Sequence, residues 1–382
     1  MNVEEDKISV LVCDDSALMR NLISRMVESE PDMVVVGKAM NGEFALAKIE
    51  KLKPDVVVLD LEMPQMDGIA FLKERQKRGI EVPVIILSSI AKKGAEVTMT
   101  AISLGAADFI LKPSSGSNDI QNVQVELTNT LRAYGRRFKS GKSSRPTPSR
   151  PAARTGGETP SWRRPVTSEI SRPERPVSPV SVTGRKPLTK KIEIVAIGIS
   201  TGGPNALREV FASLDPNINV PMLVVQHMPA GFTKEFASSL NKLCPLEVKE
   251  AEDGDLIKAG RILIAPGDYH IKVEQKRLAS VVRLSQEPQR SGHRPSADVL
   301  YESVEKAYGG NALAIIMTGM GKDGATEIGK IYNSGGIVVA QDEESSVVFG
   351  MPRVAIENGY ADHVVSLHNM ADTINGLIAE NS

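Results

Sequence analysis

The chain has 382 residues, 41% of them apolar and 24% charged, which is long enough for two domains and apolar enough to give each a core. Its 46 Lys and Arg against 47 Asp and Glu leave a formal charge of −1, so no overall basic character recommends nucleic acid as a partner. No apolar run approaches the roughly 20 residues that cross a bilayer, the acidic start MNVEEDKISVLVCDD lacks a secretory pattern, and Cys13 and Cys244 make no disulfide framework; the expectation is a soluble, cytoplasmic protein with no membrane insertion.

In chain order, the segments 8–13, 33–39, 55–60, 83–89 and 108–113 are short, β-rich and nearly all apolar, as parallel strands covered on both faces should be. Between them, Ala17–Ser29, Glu43–Lys51, Ile69–Lys77 and Ala95–Leu104 carry helical spacing. Five such βα units predict a doubly wound, flavodoxin-like domain over residues 7–130. Residues 140–190 then hold eleven Lys/Arg, three Glu and nine of the 23 prolines, with almost no sustained apolar pattern. That composition cannot offset its ordering entropy, so 131–190 reads as a disordered Pro/Ser/Arg-rich linker, which also contains Trp162. Its positive charge could touch an acidic partner or a membrane surface, or simply be solvated.

After the linker the alternation resumes. Strands are predicted at 192–199, 220–226, 261–266, 312–319, 336–341 and 363–367, and helices at Ala206–Ser213, Thr233–Leu243, Ala297–Ala307, Ala325–Asn333 and Arg353–Asn358. Alternating polar and apolar residues over 268–286 predict an inserted β-hairpin. The fold expected is α/β throughout: a flavodoxin-like doubly wound domain, then a larger Rossmann-like one over 191–380.

Ligands of such sheets sit at the carboxyl ends of the strands. In the first half those ends carry Asp14 and Asp15, Asp60, Ser88, and Lys112. Crowded carboxylates repel unless a cation sits among them, and an oxygen-rich cluster suits Mg²⁺. Asp60 is placed to accept a phosphoryl group, with Lys112 and Mg²⁺ offsetting charge and Ser88 hydrogen-bonding an oxygen. The plainer reading of one such acid is a helix cap, a role open to Asp15 or Ser16.

Residues 7–130 resemble a response-regulator receiver domain, through DDS at 14–16, LDLEMPQMDG at 59–68, the serine ending the fourth strand, and KP at 112–113. The resemblance implies that Asp60 is the phosphoacceptor and that Asp15, Asp60 and the Glu62 backbone carbonyl bind Mg²⁺ beside Asp14. It places Phe109 at the family's switch-aromatic position, although a buried aromatic there needs no such role.

In the second half three strands end in Ser200-Thr201-Gly202-Gly203-Pro204, in His227, and in Met320-Gly321-Lys322-Asp323. A hydroxyl, an imidazole and a carboxylate on one rim are the parts of a nucleophile, base and orienter. Gly198-Ile199-Ser200-Thr201-Gly202 has nucleophile-elbow spacing, yet Ser200-Thr201-Gly202-Gly203 could equally cradle a phosphate at a helix start. Asp323 could equally cap a helix. The order Ser, His, Asp is not that of α/β-hydrolases. The N–H groups around Met320 and after Ser200 could form an oxyanion hole.

Residues 190–380 resemble the catalytic domain of chemotaxis protein-glutamate methylesterases, through GISTGGP (198–204), QHMPAGFT (226–233), IAPGDYH (264–270), HRPSADVL (293–300), TGMGKDG (318–324) and VFGMP (348–352). The resemblance implies a triad of Ser200, His227 and Asp323, with the backbone N–H of Met320 at the oxyanion, beside which the strand-end reading sets the Thr201 N–H. It implies hydrolysis of glutamyl methyl esters on chemoreceptors, deamidation of receptor glutamines, no cofactor for the esterase, and phosphorylation by a chemotaxis histidine kinase that relieves obstruction by the receiver. The linker is longer than the short connector of that family. A receiver-coupled hydrolase of another ester or amide is the alternative; a non-enzymatic regulator would need a recognition helix or zinc ligands that the second half lacks.

Overall fold

The computed structural model describes residues 6–89, 92–113, 117–143, 180–181 and 191–381. The first domain alternates β1 (Ile8–Cys13), α1 (Ala17–Glu28), β2 (Met33–Ala39), α2 (Gly42–Leu52), β3 (Val56–Asp60), α3 (Gly68–Lys77), β4 (Val84–Ser88), α4 (Lys92–Ser103), β5 (Asp108–Leu111) and α5 (Ser117–Ser143). All five strands are parallel, in the order β2-β1-β3-β4-β5. The chain leaves β1 in one direction and returns on its other side, so the switch point lies between β1 and β3, where a doubly wound sheet opens its ligand crevice. Helix starts are set by side-chain oxygens: Ser16 accepts from the Met19 N–H, Asn41 from Phe44 and Asp67 from Ala70. Ser16, not Asp15, is therefore the first cap.

Helix α5 runs on through Ser143, past residue 131 where the sequence reading begins the linker. Val123, Leu127 and Leu131 are buried at four-residue intervals against β1 and β3, and Tyr134 donates its hydroxyl to the Ala107 carbonyl at 2.8 Å. That stripe carries the helix into the Arg-rich stretch. Two residues of the expected linker form β6 (Val180–Ser181); the rest of the disorder expectation, with Trp162, lies outside the described residues.

The second domain comprises β7 (Ile194–Ile199), α6 (Gly203–Ala212), β8 (Met222–Gln226), α7 (Phe232–Asn241), β9 (Glu247–Glu250), β10 (Arg261–Ile264), the hairpin β11 (His270–Gln275) and β12 (Ser280–Ser285), α8 (Ala297–Tyr308), β13 (Ala312–Ile316), α9 (Ile328–Asn333), β14 (Ile337–Gln341), α10 (Met351–Glu357), β15 (His363–Val365) and α11 (Leu367–Glu380). Its sheet runs β6-β15-β14-β13-β7-β8-β10-β9, parallel except for β6, which pairs antiparallel with β15. From β7 the chain builds outward through β8, then crosses to β13 on the other side. The switch point thus falls between β7 and β13, and the carboxyl ends of β7, β8 and β13 are neighbours. Strand β9 and helix α11 were not predicted, although Met370, Ile374 and Ile378 form a buried stripe along α11.

Candidate functional site

Strand β7 ends in a sharp turn into α6. The Gly203 N–H donates to the Ser200 carbonyl at 2.8 Å, and the Ser200 N–H to the Thr318 carbonyl at 2.9 Å. Gly202 adopts φ of 80°, and a Cβ there would meet Val347 Cγ2 at 2.7 Å, so both conformation and space demand glycine. On the neighbouring strand, the His227 N–H is tied to the Ile199 carbonyl at 3.1 Å. The ring lands between the two expected partners: Nδ1 is 3.1 Å from Ser200 Oγ, and Nε2 is 2.8 Å from Asp323 Oδ2.

Asp323 is 1% exposed and thoroughly held. It accepts from Ser296 Oγ at 2.6 Å, the Ala297 N–H at 2.6 Å and the Asp298 N–H at 3.2 Å, all at the start of α8. Burial pushes its carboxyl up, but the hydrogen bond and charge of His227, with Ser296 and the Ala297 N–H, outweigh that and hold it at about 2. An ionised Asp323 requires a donor on Nε2, which leaves Nδ1 free to accept from the Ser200 hydroxyl. The imidazole edges are used in the opposite sense to the chymotrypsin-type arrangement, where Nε2 faces serine.

Met320 lies half-buried next to this group: a Cβ on the preceding Gly319 would sit 2.7 Å from Ser200 Cβ. Thr201 is pinned through its carbonyl, which accepts from Thr318 Oγ1 at 3.0 Å. Two further residues complete the site. Ser296 anchors the carboxylate, and His293 stacks its ring on His227, centroid to centroid 3.8 Å. Both belong to HRPSADVL, whose length and unusual composition were the available signal.

In the first domain, Lys112 Nζ is 2.7 Å from Asp60 Oδ2 and 3.0 Å from Asp14 Oδ2. Carboxylate oxygens of Asp14, Asp15 and Asp60 lie within 4.8 Å of one another, a donor set that fits a hard divalent cation. Burial pushes the Asp60 carboxyl up, against the lowering effect of Lys112. Its Oδ1 accepts from the Glu62 N–H at 3.3 Å. The Ser88 hydroxyl is engaged with Thr98 Oγ1 at 2.6 Å, a partner that strand-end reasoning did not reveal.

The two domains meet beside Ser200. Asp108 Oδ2, on β5, accepts from the Gly202 N–H at 2.8 Å, and Asn205 Nδ2 donates to the Ala106 and Ala107 carbonyls at 2.9 Å each. Asn129 Nδ2 reaches Met320 Sδ at 3.5 Å, and Arg137 donates to the Ser345 and Ser346 carbonyls. Phe109 stacks on Phe232, centroids 5.1 Å apart. Burial raises the Asp108 carboxyl to about 6, even with the Gly202 N–H bound to it.

Comparison with known proteins matches residues 195–374 to the CheB methylesterase family and 10–124 to the response regulator receiver domain. Similar curated relatives include a protein-glutamate methylesterase/protein-glutamine glutaminase of Treponema denticola, 55% identical over 97% of this chain and 98% of its own, and one of Treponema pallidum, 48% identical over 96% of each. Among solved structures, the CheB methylesterase catalytic domain of Thermotoga maritima is 41% identical, covering 49% of this chain and 99% of its own with a TM-score of 0.48.

Proposed function

We infer that this chain, which belongs to the CheB methylesterase family and carries a receiver domain in front of its hydrolase domain, is a phosphorylation-regulated protein-glutamate methylesterase. It removes methyl groups from γ-glutamyl methyl esters of methyl-accepting chemotaxis receptors during sensory adaptation, and also deamidates receptor glutamines. The observation that carries the reading is the unbroken chain Ser200 Oγ, His227 ring, Asp323 carboxylate, with spacings of 3.1 and 2.8 Å.

Ser200 Oγ attacks the ester carbonyl while His227 Nδ1 takes its proton. Asp323 holds the ring and stabilises the imidazolium. The backbone N–H groups of Thr201 and Met320 face the developing oxyanion. The tetrahedral intermediate expels methanol, which recovers the proton from His227, leaving an acyl-serine. Water, deprotonated by the same nitrogen, releases the glutamate carboxylate and regenerates Ser200. With a glutamine side chain the departing group is ammonia. The esterase residues use no cofactor in this scheme.

In the receiver, Asp60 accepts the phosphoryl group from a histidine kinase. Asp15, Asp60 and the Glu62 carbonyl would hold Mg²⁺, beside Asp14, and the ion supplies positive charge opposite the phosphoryl oxygens. Lys112 pairs with the same oxygens, and Ser88 turns from Thr98 to one of them. The unphosphorylated receiver, docked through Asp108, Asn129 and Arg137 against the rim of the hydrolase site, obstructs the receptor helix; phosphorylation shifts the population toward undocked chains. No described helix is long and apolar enough to cross a membrane, and the receptor's cytoplasmic face is where the chain would act. The test is methanol released from methylated receptor with and without a small-molecule phosphodonor and Mg²⁺. Stimulated release supports the reading; absence of methanol under both conditions removes the substrate assignment.

A further inference from the structure

The two hydrogen bonds on the His227 ring lie at opposite edges and define an axis through it. They fix the ring's position along that axis but resist poorly a roll about it, which would tilt the ring plane and turn the in-plane Nδ1 lone pair and the Nε2–H bond off their partners. A contact on the ring face supplies the missing restraint. That contact is His293, stacked at 3.8 Å with an interplanar angle of 16°.

His293 is itself firmly mounted. Its N–H donates to the Arg290 carbonyl at 3.0 Å and its carbonyl accepts from the Arg290 N–H at 3.1 Å. Arg290 in turn is paired with Glu302 of α8 and with Glu327. Ser291 Oγ donates to Asp298 at 2.9 Å, closing the segment onto the same helix start that binds Asp323. A single stretch, 290–298, thus holds both the face of the base and the carboxylate at its edge.

We propose that His293 is a positioning residue for the esterase reaction: its ring clamps the face of His227, keeps the nitrogens aligned with Ser200 and Asp323, and shields the imidazolium that forms when Ser200 attacks. The proposal rests on the hydrolase reading above and adds a residue to it. Burial pushes the His293 imidazole down to about 4, with the neighbouring His227 acting in the same direction, so it is uncharged at neutral pH. A neutral aromatic face attracts the cation formed on its neighbour, whereas a second imidazolium would repel it.

The experiment compares full-length wild type, His293→Ala, His293→Phe and Ser200→Ala on methylated receptor and on p-nitrophenyl acetate, with thermal midpoints measured alongside. Lost alignment of a catalytic group costs on the order of ten- to a hundredfold in rate. The Ala variant should therefore lose about that much in kcat with KM changed less than about twofold, while Phe, which restores the face without the nitrogens, recovers to within about fivefold of wild type. A structural role alone would lower the midpoint without this split or this rescue. Unchanged kcat in His293→Ala overturns the proposal; so does equal loss in Ala and Phe, or a loss confined to KM. If wild type hydrolyses the aryl ester through Ser200 but releases no methanol from receptor, the substrate assignment fails while the His293 comparison is still read on the aryl ester.

Discussion

Asn205 gives a measurable handle on docking between the domains. It sits in the first turn of α6 and donates two hydrogen bonds of 2.9 Å to receiver carbonyls at Ala106 and Ala107. A hydrogen bond contributes about 1 kcal/mol net, so Asn205→Ala should weaken the docked state by about 2 kcal/mol. At 1.4 kcal/mol per factor of ten, that changes the docked-to-undocked ratio about 30-fold. The Ala107 carbonyl keeps Tyr134 as a donor, which limits the cost within the receiver itself. The expected outcome is a rise in the unphosphorylated esterase rate of up to about 30-fold, capped by the phosphorylated rate, which should stay within about twofold of wild type. Methanol release from methylated receptor, with and without phosphodonor, reads both quantities. An unchanged unphosphorylated rate, with ordinary stimulation by phosphodonor, would show that this docking does not limit the site.

Other consequences are equally concrete. Asp108 is held at about 6 by burial, above its ordinary 3.8, so the docked chain binds more protons than the undocked one between those values. Docking is therefore strongest below about 3.8 and weakens as pH rises through about 6; the ratio of unphosphorylated to phosphorylated rate should climb over that window, and stay flat in Asp108→Asn. Removing residues 1–190 should raise the basal rate, and parity with the intact unphosphorylated chain would contradict inhibition by the receiver. Ser296→Ala removes a charge-assisted hydrogen bond from Asp323, worth about 1.5–3 kcal/mol, and should lower kcat about tenfold or more; an unaltered kcat would show that the α8 amides suffice. Tyr301→Phe deletes a fully buried hydroxyl that donates to the Ile315 carbonyl at 2.6 Å, and should cost about 1–2 kcal/mol of unfolding free energy in a denaturant titration without touching kcat.

What was readable in the sequence had a local cause. Strands such as VVVLD and MLVVQ are apolar on both faces because helices cover both faces, and the residues that follow them lie on the sheet's carboxyl edge by construction. That rule alone brought Ser200, His227, Asp323, Asp14, Asp60 and Lys112 forward. His293 and Ser296 escaped it because they come from the segment before α8, not from a strand end, and act only through contacts with residues distant in sequence. Helix α5 outruns residue 130 because its buried positions, Val123, Leu127 and Leu131, recur only once in four residues, a sparse signal beside the charge and proline content that dominates after 140. Asp108 looked like an ordinary strand start; its carboxylate acquires a role only when Gly202 is brought against it.

The most direct examination is methanol release from methylated receptor by wild type, Ser200→Ala, His227→Ala and Asp60→Asn under one set of conditions. Turnover should disappear in the first two variants, while Asp60→Asn keeps the basal rate and loses only its response to phosphodonor. Undiminished release by Ser200→Ala would mean that the serine, the imidazole and the acid meeting at the edge of this sheet are not the machinery of the enzyme.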